Sequence, residues 1–179
     1  MKKRLCILGL FVFLLSLCGC GSTNTPTNKV EKLLSSYQTT SDAIVTELDD
    51  YLKTLDVPSN YYDDYKNVYL KQYKDLTYKV KNEKIDGDQA TVTTQIEVYD
   101  YYKTENDVTS YIASHPDEFS DNGVYSTAKG LKYKIDELNK TTDRVTYTLE
   151  ITLTKVNDNW TIDNLTNEEL EKIHGTFAH

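Results

Sequence analysis

Cysteine, histidine and paired carboxylates are the side chains in this 179-residue chain that could do chemistry near neutral pH. The three thiols, Cys6, Cys18 and Cys20, all fall within the first twenty positions, so the rest of the chain has no disulfide framework and no all-cysteine metal site. Histidine is the residue whose ordinary pKa suits acid–base work. His179 is terminal, His115 precedes Pro116 in an expected loop, and His174 falls at the end of an expected helix, where a cation complements the dipole. The expectation for His174 is a helix cap. No HExxH, no histidine pair at helical spacing and no CxxC is present, which argues against zinc.

Asp49-Asp50, Asp63-Asp64, Asp117-Glu118 and Glu168-Glu169 are adjacent pairs, and neighbours on a helix do not face each other. They read as solvated faces and first-turn dipole partners rather than chelates. Asp121-Asn122-Gly123 is a turn without a calcium-loop pattern. Five unclustered glycines follow residue 19, and GxSxG, GxxxxGK and GxGxxG are all missing, so no phosphate loop or nucleophile elbow is indicated. No catalytic residue, metal or cofactor is assigned.

The compositional excess is tyrosine, 15 residues in all, against two Phe and one Trp after Cys20. Two readings stay open: a core that uses Tyr in place of Phe, or an aromatic pocket or interface where Tyr offers rigid area and a hydroxyl. Tyr99, Tyr101 and Tyr102 are expected to end one strand, which puts Tyr99 and Tyr101 on one pleat face with Glu97. Glu97, Tyr99, Tyr101 and, from a later strand, Tyr147 are therefore the candidate pocket residues. Asp100, Tyr101 or Tyr147 together in a closed apolar pocket would favour an enzyme or a ligand carrier.

The first twenty residues have three parts. Lys2, Lys3 and Arg4 precede the 13-residue apolar run Leu5–Leu17, which is shorter than the roughly 20 residues needed to span a bilayer. The small Gly19 then precedes Cys20. The segment Leu17-Cys18-Gly19-Cys20 resembles the bacterial lipobox, which implies cleavage before Cys20 and a diacylglycerol on its sulfur. Removing Lys2, Lys3 and Arg4 from the 20 cations leaves 17 against 28 acids, a net charge near −11. So acidic a body argues against nucleic-acid binding.

Residues 1–19 thus read as a lipoprotein signal peptide, 20–28 as a lipidated cysteine and flexible tether, and 29–179 as one domain. Within that domain apolar spacing predicts helices over Lys29–Tyr37 and Ile44–Leu55 with a break at Gln38–Asp42, then a third through Tyr62 to Tyr73. Alternation over Leu76–Val80 and Ala90–Val98 about Asp86-Gly87 predicts a hairpin, and Val145–Leu153 with Trp160–Ile162 about Asn157–Asn159 a second. Between them, Thr104–Asp107 resembles a capping box opening a helix toward Pro116, and Val124–Leu138 predicts another helix with Gly130 as its weak point. Thr166 caps a last helix to His174. The fold class expected is α+β: N-terminal helices packed on a curved, cone-like antiparallel sheet built from two long hairpins.

The segment Thr141–Thr166, a long strand, a tight turn, then Trp160 and an alternating strand, resembles the end of cone-fold domains of the nuclear-transport-factor-2 kind, close to cystatin-like arrangements. The whole chain resembles small lipoproteins of low-GC Gram-positive bacteria that join a lipobox to such a domain. The resemblance implies an extracytoplasmic protein lipid-anchored to the cell membrane. The role expected is a binding or interaction module for a protein or small molecule. A cone-fold enzyme or small-ligand carrier is the alternative it leaves open, since that fold hosts both.

Overall fold

The computed structural model describes residues 24–55 and 57–179; the expected signal peptide, Cys20 and Gly21–Thr23 lie outside them. Three helices come first: α1 (Pro26–Gln38), α2 (Asp42–Thr54) and, after a 3-10 turn at Ser59–Tyr61, α3 (Tyr62–Asp75). Val30, Leu34 and Tyr37 recur at helical spacing in α1 and are buried. Thr40, with a left-handed φ of 48°, ends that run, and Ser41 opens α2.

Helix α1 begins three residues before the expected domain boundary at Lys29. Thr25 caps it, its hydroxyl accepting from the Asn28 amide at 3.2 Å, and Pro26 occupies the first turn, where a missing N–H costs nothing. The Thr27 amide and hydroxyl both donate to Glu83, at 2.9 and 2.7 Å, and Asn24 donates to the Asp158 carbonyl at 2.7 Å. Residues 24–28, expected in the tether, are therefore tied to the sheet.

The sheet is antiparallel in the order β1-β2-β5-β6, with β1 (Thr77–Asp86), β2 (Gln89–Tyr99), β5 (Arg144–Val156) and β6 (Asn159–Ile162). Gly87 supplies the left-handed φ (60°) in the first hairpin loop; Asn157 and Asp158 do so (49° and 61°) in the second. The expected alternation holds: Val92, Ile96 and Val98 of β2 are fully buried and lie in register with Ile151, Tyr147 and Val145 of β5. The second hairpin is unequal, since β6 has only four residues. The class is α+β, with the helices on a curved sheet.

Between the hairpins lie α4 (Tyr101–Ser114), a two-residue ladder of β3 (Ser120–Asp121) with β4 (Val124–Tyr125), and α5 (Thr127–Lys140); α6 (Asn167–His174) closes the chain. Two expectations are corrected here. The N-cap of α4 is Asp100, which accepts from the Lys103 amide at 2.9 Å, so Thr104 lies inside the helix and the strand ends at Tyr99. Val124 pairs in the small ladder instead of starting α5.

Tyr37, Tyr65, Tyr69, Tyr73, Tyr101 and Tyr147 are buried, which favours the core reading for much of the tyrosine excess. Three of the hydroxyls donate hydrogen bonds: Tyr37 to Glu47 at 3.2 Å, Tyr101 to the Val68 carbonyl at 3.0 Å and Tyr147 to the Phe177 carbonyl at 2.7 Å. Leu149, Ile151 and Leu153 complete the inner face of the sheet, so the interior where a cone-fold pocket would lie is filled by the chain's own side chains.

Candidate functional site

The four candidate pocket residues do not meet. Glu97 and Tyr99 point to the outer face of the sheet, whereas Tyr147, opposite Ile96, points into the core. Tyr101 leaves the pleat altogether, because the helix begins with it. On the outer face, Arg144 lies 4.7 Å from the Tyr99 ring centre and 3.5 Å from the Glu97 carboxylate. Tyr99 donates to Asp75 at 2.7 Å, and this bond, with partial burial, raises its pKa. Glu97 lines only a hollow of about 180 Å³. This cluster is a satisfied surface patch with little room for a ligand.

Tyr147 and Asp100 do approach each other through His179, which lies 3.2 Å from the Tyr147 hydroxyl and 3.4 Å from the Asp100 carboxylate. Burial, then the Asp100 charge, raises the Tyr147 hydroxyl to about 12, so it stays protonated at neutral pH. Its proton is held by the Phe177 carbonyl, and the cavities described here do not open on this trio. A hollow of about 340 Å³ between α4 and α5 has a mixed lining, in which Lys103 pairs with Asp143 and Lys140 with Glu137, while Asp107 makes no ion pair among the described residues.

The third location is built by α2, α3 and α6. Asn167, Leu170, Glu171 and His174 follow at i, i+3, i+4 and i+7, one face of α6; Glu47 and Tyr51 do the same at i, i+4 on α2. Together with Tyr73 of α3 and the segment after α6, they enclose a half-open cup of about 430 Å³, within the range of small-molecule sites. Its floor is His174 and the Tyr73 ring, its walls Tyr51 and Leu170, and its rim the exposed Glu47 and Glu171.

His174 is not the cationic helix cap expected of it. It is 4 % exposed, with its ring centre 4.4 Å from that of Tyr51, 5.3 Å from Tyr69 and 5.8 Å from Tyr73. Burial alone lowers its pKa to about 4, so the imidazole is neutral at pH 7. Neither ring nitrogen has a hydrogen-bond partner among the described residues. Yet the one sealed side-chain polar atom without a partner there is Thr94 Oγ1, so the imidazole edge opens on the cup.

The backbone beneath the histidine is fixed. Gln72, fully buried, donates to the carbonyls of His174 (2.9 Å) and Tyr99 (3.0 Å) and accepts from the Tyr99 amide (2.7 Å). Gly175 follows with φ +75°; a β-carbon there would come within 2.2 Å of both Gln72 Nε2 and the Tyr99 carbonyl oxygen. Its own carbonyl accepts from the Tyr102 amide at 2.8 Å, satisfying one free donor of α4. At the other end of α6, Thr166 and Glu169 form a reciprocal capping box. The sequence signal for this site was the apolar stripe of α6 (Leu170, Ile173 and His174), which puts the histidine on the packed face.

Among the described residues no group of three His, Cys, Asp or Glu could hold a metal, and no helix is long and apolar enough to cross a membrane. No family model and no curated protein matches the chain. In solved structures it is similar to a protein from Bacillus subtilis strain 168, YcdA, assigned as a lipoprotein: 19 % identity, TM-score 0.43, over 87 % of this chain and 48 % of that one. The chain thus spans about half the length of that protein, and a likeness this distant carries no argument about function.

Proposed function

We propose that the chain is an extracytoplasmic lipoprotein, held to the cell membrane by diacylglycerol on Cys20, whose domain binds a small molecule in the cup at His174. The observation that carries the binding role is a buried imidazole with no protein partner, facing an aromatic cavity of about 430 Å³. Its ring nitrogens have no protein partner but are reachable from the cup, so a ligand there can supply a hydrogen-bond partner.

Binding is a better reading than catalysis. A general base works best with a pKa near the operating pH, and burial holds His174 at about 4. No serine, threonine or cysteine hydrogen-bonds to it, so no nucleophile is activated.

Anchoring rests on the sequence: the basic head, the short apolar run and Cys20. With Asn24 hydrogen-bonded to the β5–β6 turn, three residues separate the lipid-bearing cysteine from the domain, a reach of at most about 14 Å when extended. That short span would hold the acidic domain close to the headgroups by lipid alone.

Native mass spectrometry of the full-length protein, released from its host's membranes in detergent, tests the binding role. The expected result is a small-molecule adduct that disappears in Leu170→Trp, which fills the cup. An adduct-free protein, or an adduct unaffected by that substitution, would overturn it. For the anchor, Cys20→Ser should release the protein from membranes and abolish fatty-acid labelling; persistent labelling refutes it.

A further inference from the structure

We infer that the molecule bound in the cup is a small organic cation, an ammonium group on an apolar body. The inference rests on the binding role given above and adds its chemistry. Four features of the cup converge on it.

The two rim carboxylates carry no ion pair. Glu47 takes a hydrogen bond from the Tyr37 hydroxyl, Glu171 makes no side-chain hydrogen bond, and neither is within ion-pair distance of a lysine or arginine among the described residues. The α4–α5 hollow differs in that two lysines line it and pair with two of its three acids. No cation lines the cup, so its rim carries two uncompensated negative charges.

The wall is aromatic. Tyr51 and Tyr73 present rings to the cavity, and a ring face attracts a cation through its quadrupole. On the floor, a neutral imidazole offers an unshared nitrogen lone pair, which an ammonium N–H can use as acceptor. Finally, Leu170 and Ala178 leave apolar surface for the ligand's body. An anion would meet two carboxylates. A neutral apolar molecule would fit but leave the rim charges unused.

Three probes with one skeleton separate the cases: 2-phenylethylammonium, 2-phenylethanol and phenylacetate, titrated into the full-length protein while the His174 ring signals are followed by NMR. The ammonium should shift those signals saturably, with the alcohol about tenfold weaker and phenylacetate weaker still. Replacing both rim acids, Glu47→Gln with Glu171→Gln, should bring ammonium and alcohol to within about twofold of each other.

Equal or tighter binding of the alcohol or phenylacetate would overturn the cation while leaving the cup as a binding site. Selectivity that survives the double substitution would overturn the role of the carboxylates, and with it this inference. If no probe moves the His174 signals, the binding role falls as well.

Discussion

The burial of His174 has a measurable consequence for stability. In the unfolded chain its pKa is near 6.5 and in the fold about 4, so the unfolded state takes up the proton first as pH falls. The sign follows: protonation of His174 has no effect on stability well above pH 6.5, and the fold loses stability progressively as pH falls from about 6.5 to 4. The full difference corresponds to about 3 kcal/mol, and about 2 kcal/mol of it should be expressed at pH 5. The groups facing the ring are Tyr51 and Glu47 from α2, Tyr69 and Tyr73 from α3 and Glu171 from α6.

Because the 28 acids also respond to pH, the informative quantity is a difference between proteins. His174→Phe keeps an aromatic ring in the box and removes the titration. Urea unfolding of both proteins at pH 7.5 and pH 5 should show wild type losing about 2 kcal/mol more than the variant over that interval. An equal loss in both would mean that the folded imidazole titrates as it does in water. The reasoning from burial would then be wrong.

Further outcomes concern the frame around the cup. Gly175→Ala places a β-carbon 2.2 Å from Gln72 Nε2 and the Tyr99 carbonyl, on a left-handed backbone, and should lower stability by more than about 2 kcal/mol by urea midpoint. Gln72→Leu strands the Tyr99 amide and two carbonyls; a loss of about 3 kcal/mol or more is expected, and a loss under about 1 kcal/mol would show that water replaces the amide. Thr166→Ala removes one half of the capping box and should cost about 1 kcal/mol, with faster amide exchange confined to the first turn of α6.

The sequence was most informative where the determinants were local. The alternation of Val92, Ile96 and Val98, the Gly87 turn and the Thr166 cap are set within a few residues, and each stands in the structure as expected. Local reasoning failed where two signals competed. Thr104–Asp107 looked like a helix start, but Asp100 lies one residue after the strand and captures the Lys103 amide first, so α4 begins a turn earlier.

Tyr99 and Tyr101 were separated by that same boundary, which dissolved the pleat face on which the expected pocket depended. Their rings still stack, 6.0 Å apart, but across a strand–helix junction and not along a strand. His174 was misjudged for a different reason. The dipole argument considers one helix end, whereas the residue's environment comes from Tyr51, Tyr69 and Tyr73, more than a hundred positions away. Gln72 closes a similar distance, joining α3 to the His174 carbonyl. Gly130, read as a weak point of α5, lies under the exposed Tyr125 side chain, whose hydroxyl is 2.0 Å from where a β-carbon would stand.

The central claim is that the open chemistry of this domain lies in the cup at His174 and not on the sheet. A crystal structure of the protein grown with 2-phenylethylammonium tests this directly. The account predicts density in the cup, with the ammonium nitrogen between the carboxylates of Glu47 and Glu171 and within hydrogen-bond distance of a His174 ring nitrogen. Density at the Glu97–Arg144 patch or in the α4–α5 hollow, with the cup empty, would contradict it.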